Sequence, residues 1–237
     1  SGSDYYHIMQ ISIIIPIFNE EATIIDILKK VNNQRIDEID LEIIVINDCS
    51  TDNTLDLLES NKSLYTKLIN LEKNLGKGGA VKRGLLDSEG DYILFQDGDL
   101  EYNPDDYIKI FNVIKEYEAE VVIGSRFLSP DYIRVHNYYH KVGNKVITFM
   151  FNVLNNTTFT DIYSCYLCYK KDLFDPEILK SNGWEQQAEI LSNVVGNSSI
   201  YYEVPVSYSG RSFDEGKKIR GRDIFKVLFM ILKKGLF

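Results

Sequence analysis

From residue 11 to residue 126 the chain alternates, with almost no slack, between short apolar runs rich in β-branched residues and segments with helical spacing. Ile11 to Ile15 reads as a strand stopped by Pro16, and residues 22–31 place Ile24, Ile25, Leu28 and Val31 on one helical face. Residues 41–46 are a second buried strand, Ser50 can cap a helix running through Leu58, and residues 68–71 suggest a third strand. A helix over 78–86 precedes the run Tyr92-Ile93-Leu94-Phe95, and after Pro104 a helix over 107–117 leads to a strand over 120–123. Parallel neighbours need crossovers and crossovers are usually helices, so this rhythm predicts an α/β fold with a mainly parallel sheet covered on both faces. Residues 127–237 are less regular, with helices expected near 140–154 and 184–194 and strands near 162–169 and 200–206.

At 237 residues, 44% hydrophobic and 26% charged, the chain can bury a substantial core. Its net charge of −9 argues against a general nucleic-acid binder, but the charge is uneven. Residues 211–237 carry eight Lys or Arg against three acids, which leaves the first 210 residues at −14. A basic end on an acidic body suits an anionic partner, either a phosphorylated substrate or a lipid surface; a solvated basic helix is the plain alternative. Three cysteines are too few for a disulfide scaffold and no secretory signal is visible, so a reducing, cytoplasmic setting is expected. Residues 1–8 read as an expression scar ahead of a natural start at Met9. No apolar run approaches the ~18 residues that span a bilayer. Residues 146–154 and 224–232 are nonetheless apolar enough to lie in a membrane interface, or to be buried core helices.

The end of the fourth strand carries Asp97-Gly98-Asp99, two carboxylates two residues apart in extended backbone, where side chains repeat with period two. Two close carboxylates repel unless a cation sits between them. Mg²⁺ typically uses one or two carboxylates plus substrate phosphates, which points to a nucleoside diphosphate; an acidic Asp-Gly turn is the alternative. Other strand ends are polar too: Pro16-Ile17-Phe18-Asn19-Glu20 and Asn47-Asp48-Cys49-Ser50-Thr51-Asp52. Strand ends on one edge of a parallel sheet meet in one crevice, so Pro16, Glu20, Asp48, Asp97 and Asp99 are expected together. There Asp48 could accept hydrogen bonds from a base's ring N–H, with Asn19 or Glu20 on the ribose side.

Asn74-Leu75-Gly76-Lys77-Gly78-Gly79 opens a helix and offers N–H groups and a Lys to an anion, but it is neither a dinucleotide fingerprint nor a Walker loop. Gly124-Ser125-Arg126 ends another strand, and Arg211, Lys217 and Lys218 open the basic end; with a metal on one side and these cations on the other, a departing diphosphate would be neutralised. His136 and His140 with Cys165 and Cys168 do not make a zinc site, because residues three apart in a strand face opposite ways.

Taken in order, Ile15-Pro16-Ile17-Phe18-Asn19-Glu20-Glu21, residues 47–54, residues 74–78, Gln96-Asp97-Gly98-Asp99-Leu100-Glu101, Gly124-Ser125-Arg126 and residues 211–218 resemble the inverting family 2 glycosyltransferases of GT-A fold. The likeness is to the branch of dolichyl-phosphate mannose synthases and polyprenyl-phosphate glycosyltransferases, over residues 10–225. It implies a Rossmann-like, mainly parallel mixed sheet in one domain over 9–210. Residues 9–126 would form the nucleotide-sugar half, 127–210 the acceptor half, and 211–237 a basic loop and amphipathic helix. It further implies that Pro16, Asn19, Glu20 and Asp48 hold the nucleoside of a UDP- or GDP-sugar, with Lys77, Gly78, Gln96 and Gly98 in the same binding set. Asp97 would face the sugar and ribose, while Asp99, helped by Asp97 or Glu101, would hold Mg²⁺ or Mn²⁺. Arg126 and Arg134 would receive the acceptor phosphate, and Arg211 with Lys217 would close over the donor. The family usually has Asp where Asn47 stands and Ala where Gly98 stands, and the transmembrane helices of many members do not follow the basic segment.

The reaction so implied is in-line attack on the sugar's anomeric carbon with inversion. A polyprenyl phosphate acceptor needs no protein base, its second pKa being about 6. A glycan or other hydroxyl acceptor does need one, and Glu185 and Glu189, one helical turn apart, or Asp161 are the candidates. A protein that binds sugar nucleotides without turnover is the reading from another class. The expected location is cytoplasmic, with peripheral contact on the cytosolic face of a membrane.

Overall fold

The computed structural model of the chain describes residues 8–128, 138–210 and 223–236. Seven strands form one sheet: β1 (Met9–Ile17), β2 (Ile39–Asn47), β3 (Lys67–Asn70), β4 (Tyr92–Phe95), β5 (Val121–Ser125), β6 (Leu167–Lys170) and β7 (Tyr201–Pro205), in the order β3-β2-β1-β4-β6-β5-β7. Every pairing is parallel except those of β6, which runs antiparallel between β4 and β5. β1 is the centre of the first half. Ile11, Ile13, Ile14 and Ile15 are fully buried on both its faces, as a strand sandwiched between helical layers must be. Pro16 does not stop this strand; it pairs in register with Ile46 one residue before the end, where a missing N–H costs the ladder least.

The helices are α1 (Ile24–Asn32), α2 (Thr54–Glu59), α3 (Gly76–Leu86), α4 (Tyr107–Tyr117), α5 (Tyr138–Asn155), α6 (Gln186–Asn197) and α7 (Asp223–Leu236). α1 shows the logic of the set: Ile24, Ile27, Leu28 and Val31 are buried while Lys29 and Lys30 are exposed near its C-terminal end, complementing the helix dipole. Ser50 does not cap α2. Its hydroxyl instead donates to Asn47 Oδ1 at 2.6 Å and accepts the Asn19 N–H at 3.0 Å, and Asp52 Oδ1 receives the Thr54 N–H at the start of the helix. The strand expected over 162–169 is confined to β6, because residues 160–164 are taken up by side-chain and backbone contacts described below.

The chain runs β1 to β3 outward on one side of β1 and places β4 on the other. The C-terminal ends of β1 and β4 therefore flank a topological switch point, where open α/β sheets form a crevice. The second half of the chain supplies β6 and β7 to the same sheet, so both halves share one core.

Candidate active site

A cleft of about 470 Å³ opens at this switch point, walled by the ends of β1, β2 and β4, the start of α3 and residues 182–184. Pro16, Glu20, Asp48, Lys77, Asp97, Gly98, Asp99 and Glu101 all line it. These are residues from four separate stretches of sequence, brought together by the parallel strand ends.

The turn after β4 is tightly held. The Thr23 hydroxyl donates to the Gly98 carbonyl at 2.9 Å, and a Cβ on Gly98 would lie 2.5 Å from Ile17 Cγ2, so a larger residue here would make the Ile17 side chain shift. Asp97 Oδ1 takes an ion pair from Lys77 Nζ at 2.6 Å. The buried Cys165 thiol is pushed up by burial and by the nearby Asp97 carboxylate. Asp99 is 7% exposed, and its Oδ1 accepts the Glu101 N–H at 3.0 Å. The Tyr208 hydroxyl donates to Glu101 Oε2 at 3.1 Å.

On the β2 side, Asp48 Oδ1 accepts the Leu75 N–H at 2.7 Å, and Asn74 donates to the Asp48 carbonyl at 3.0 Å. Burial raises the Asp48 pKa although the Leu75 and Gly76 N–H groups pull the other way. Asn19 adopts a left-handed φ of 53° and joins the β1 and β2 loops, its Oδ1 accepting the Thr51 N–H at 2.8 Å. Asn19 thus shapes the rim without lining the cleft.

At the start of α3, Gly76 has φ +79° and Gly78 packs so closely on residues 181–182 that a Cβ would lie 2.8 Å from Asn182 Cα. The Gly78 N–H donates to the Asn182 carbonyl at 2.9 Å, so it is committed to the protein rather than offered to an anion. This close approach sets Trp184 against Lys77, whose Nζ lies 4.5 Å from the indole ring centre. Burial alone would lower the lysine pKa; the Asp97 carboxylate overrides it and holds the ammonium well above its usual range.

Four other expected site residues have structural partners. Gln96 is fully buried, its Oε1 accepting hydroxyls from Tyr107 at 2.7 Å and Tyr166 at 2.9 Å, so it braces the end of β4 and does not line the cleft. Asp161 is fully buried and bound by Arg126 Nε at 2.7 Å and Arg126 Nη2 at 2.8 Å. Glu189 is 3% exposed and caps the backbone N–H groups of Lys180 at 3.2 Å and Ser181 at 2.9 Å. Neither carboxylate is among the residues that line the cleft, and nor is Glu185. Arg126, fixed by Asp161, does not line the cleft; its guanidinium lies 5.1 Å from the ring centre of Tyr208, which does. Arg134, Arg211 and Lys217 lie outside the described residues.

Sequence reasoning did not assign Phe18, Asn74, Asn182, Gly183, Trp184 or Tyr208 to the cleft, nor Cys165 to Asp97. The one tryptophan, following Asn-Gly, was the only available signal among them.

Among the described residues no three His, Cys, Asp or Glu side chains converge as a ready-made metal cage. A Mg²⁺ or Mn²⁺ site of one or two carboxylates completed by substrate phosphates does fit, since Asp99 and Glu101 offer hard oxygen donors on one wall of the cleft.

The sequence pattern of the family described as Glycosyl transferase family 2 matches residues 12–176, and the chain belongs to that family. Its fold is of the GT-A type. Among curated relatives, it is 27% identical over 223 residues to a dolichol-phosphate mannosyltransferase of Pyrococcus furiosus, covering 93% of this chain and 62% of that one. It is 25% identical over 220 residues to an undecaprenyl-phosphate 4-deoxy-4-formamido-L-arabinose transferase of Proteus mirabilis, covering 91% and 64%. The chain thus spans less than two thirds of the length of these relatives. Among solved structures, glucosyl-3-phosphoglycerate synthase of Mycobacterium tuberculosis with Mn²⁺, UDP-glucose and phosphoglyceric acid superposes with a TM-score of 0.67 at 18% identity, over 97% of this chain and 80% of that one. Residues 1–349 of S. aureus TarS with UDP give 0.64 at 21%, over 95% and 65%. At these identities the structural likeness establishes the fold alone.

Proposed function

We propose that the protein transfers a sugar, with inversion, from a UDP- or GDP-sugar to a polyprenyl phosphate. The observation that carries the choice of acceptor is the engagement of Asp161 and Glu189, with the third candidate base, Glu185, absent from the cleft lining. A hydroxyl acceptor must lose its proton to a group within hydrogen-bond reach, yet Asp161 is bound by Arg126 and Glu189 by two backbone N–H groups. A phosphate monoester is already anionic at neutral pH. Two curated relatives are named for transfer involving dolichol phosphate and undecaprenyl phosphate, which supports the same acceptor class.

In this reading Pro16, Glu20 and Asp48 cradle the nucleoside, and Asp97 accepts hydrogen bonds from the sugar or ribose. Asp99 with Glu101 would hold Mg²⁺ or Mn²⁺, which neutralises charge developing on the diphosphate. Arg126 holds the acceptor phosphate beside Tyr208. A phosphate oxygen of the acceptor attacks the anomeric carbon as the bond from that carbon to the nucleoside diphosphate breaks on the opposite face. The electron pair leaves with the diphosphate, and no proton has to move. Arg211 and Lys217 are assigned to the donor, and Arg134 to the acceptor, on the motif likeness.

A lipid acceptor also calls for contact with a membrane surface. No helix among the described residues is long and apolar enough to cross one. α5 nevertheless exposes Val142, Val146, Phe149 and Val153 along one stripe, with Phe149 68% exposed, and α7 exposes Phe229. Lys141, Lys145 and Lys226 are exposed on the same two helices. Apolar side chains flanked by cations suit peripheral binding to an anionic leaflet.

The donor reading is tested by a thermal-shift panel of UDP- and GDP-sugars with Mn²⁺ and with EDTA. A ligand at ~100 times its Kd adds roughly 2.7 kcal/mol of apparent stability. One nucleotide series should raise Tm only with the metal present. No shift with any sugar nucleotide would refute the reading.

A further inference from the structure

Five carboxylates line the cleft, those of Glu20, Asp48, Asp97, Asp99 and Glu101, and Lys77 is the one cation among the described residues that do so. Its position runs against local helix energetics. Lys77 is the second residue of α3, at the positive end of the helix dipole, where acids are favoured and cations disfavoured. Helix stability therefore gives no reason for a lysine here.

Three independent features fix where its ammonium goes. Gly76 and Gly78 allow the backbone at 181–182 to press on the start of α3. That approach brings the Trp184 ring to 4.5 Å from Nζ, a cation–π contact that confines the side chain from one side. Asp97 Oδ1, at 2.6 Å, then receives the charge. Asp97 is thus compensated by the protein itself, whereas a hard divalent cation offered both Asp97 and Asp99 would be drawn to both.

We propose that Lys77 is a positioning residue that keeps Asp97 out of the metal's coordination shell. By occupying Oδ1 it confines the divalent cation to Asp99 and Glu101 and leaves Asp97 as a hydrogen-bond acceptor for donor hydroxyls. The inference rests on the donor and cation reading above. It splits the Asp-Gly-Asp pair into two tasks: one carboxylate orients the sugar and the other serves the diphosphate.

The test is direct Mn²⁺ binding, followed by electron paramagnetic resonance of free Mn²⁺ in the presence of saturating UDP, and separately GDP. Lys77→Met removes the ammonium and releases Asp97. It should bind Mn²⁺ at least about tenfold more tightly than wild type, the scale expected for one unit charge exchanged near a partly screened site. Lys77→Arg, which keeps the ion pair, should match wild type. Lys77→Met combined with Asp97→Asn should return to near wild-type affinity, because the recruited ligand is gone. Lys77→Gln provides the same comparison if the methionine variant does not fold by circular dichroism. Unchanged or weaker Mn²⁺ binding in a folded Lys77→Met or Lys77→Gln protein overturns the proposal. Equal tightening with Asp97→Asn present also overturns it, because Asp97 is then not the recruited ligand; so does a full return to wild-type affinity in Lys77→Met with Asp48→Asn, which removes the same charge from the cleft without touching Asp97 and so reads a general charge effect. If neither wild type nor any variant binds Mn²⁺, the cation reading itself fails and the role of Lys77 falls with it.

Discussion

Asp161→Asn removes the negative member of a buried ion pair while leaving its shape almost intact. Asp161 is fully buried and accepts from the Arg126 N–H at 3.1 Å, from Nε at 2.7 Å and from Nη2 at 2.8 Å, and Arg126 itself is 11% exposed. Removing one partner from such a pair costs roughly 3–5 kcal/mol, because the other charge is left desolvated. Asparagine keeps one oxygen for the guanidinium, which places the expected loss near ~3 kcal/mol. For a domain of this length each kcal/mol moves Tm by about 2–4 °C, so thermal unfolding should shift downward by about 6–12 °C. Replacing both partners by apolar groups, Arg126→Met with Asp161→Leu, should recover stability to within about 1 kcal/mol of wild type. The double variant should still transfer no sugar, because Arg126 is assigned to the acceptor phosphate. Differential scanning fluorimetry and urea unfolding at pH 7 measure the stabilities, and product formation from a lipid phosphate measures transfer. An Asp161→Asn protein with wild-type Tm and no activity would refute the reasoning and restore Asp161 as a base.

Glu42 is buried; burial opposes its charge, but the Glu89 N–H, Lys67 and Ser12 together hold its pKa below the ordinary 4.5. The folded state therefore binds fewer protons than the unfolded chain near that pH, so this stability is present above about 4.5 and lost as pH falls through the folded value. Glu42→Gln should lower Tm at pH 7, and the difference from wild type should shrink as pH falls below about 4.5, as urea titrations across pH would show. Gly78→Ala should destabilise the fold by about 1–3 kcal/mol or more, since the new methyl meets backbone at 181–182 that cannot rotate away, and it should weaken donor binding in the thermal-shift panel. Phe149→Ser with Phe229→Ser should abolish co-sedimentation with vesicles containing anionic lipid while leaving Tm within about 1 °C, because both rings are exposed. Retained sedimentation would refute the assigned membrane face.

The strand–helix alternation made the sheet legible because buried parallel strands need unbroken apolar runs such as Ile11–Ile15. β6 was overestimated for a physical reason. Residues Thr160, Asp161, Tyr163 and Ser164 look extended in sequence but are held by Glu203, Arg126 and Gln187 rather than by a ladder. The cleft's acidic wall could be anticipated from strand ends converging on one edge. Trp184 and Tyr208 could not, because they arrive from loops whose path depends on tertiary contacts such as the Gly78 to Asn182 hydrogen bond. Gln96, Gly78, Asp161 and Glu189 each have protein partners that the sequence does not reveal: motif position shows that a polar residue is near a site, and only the fold shows which groups its hydrogen-bonding capacity already serves.

The central claim is metal-assisted transfer to an acceptor that is already an anion. It is tested most directly by offering the protein the sugar nucleotide selected by thermal shift, with polyprenyl phosphate and the corresponding free polyprenol side by side, in Mn²⁺ or in EDTA, and detecting products by mass spectrometry. The account predicts an inverted glycosyl phosphate lipid only with the phosphate acceptor and the metal. Comparable transfer to the free alcohol, or undiminished transfer in EDTA, would contradict it.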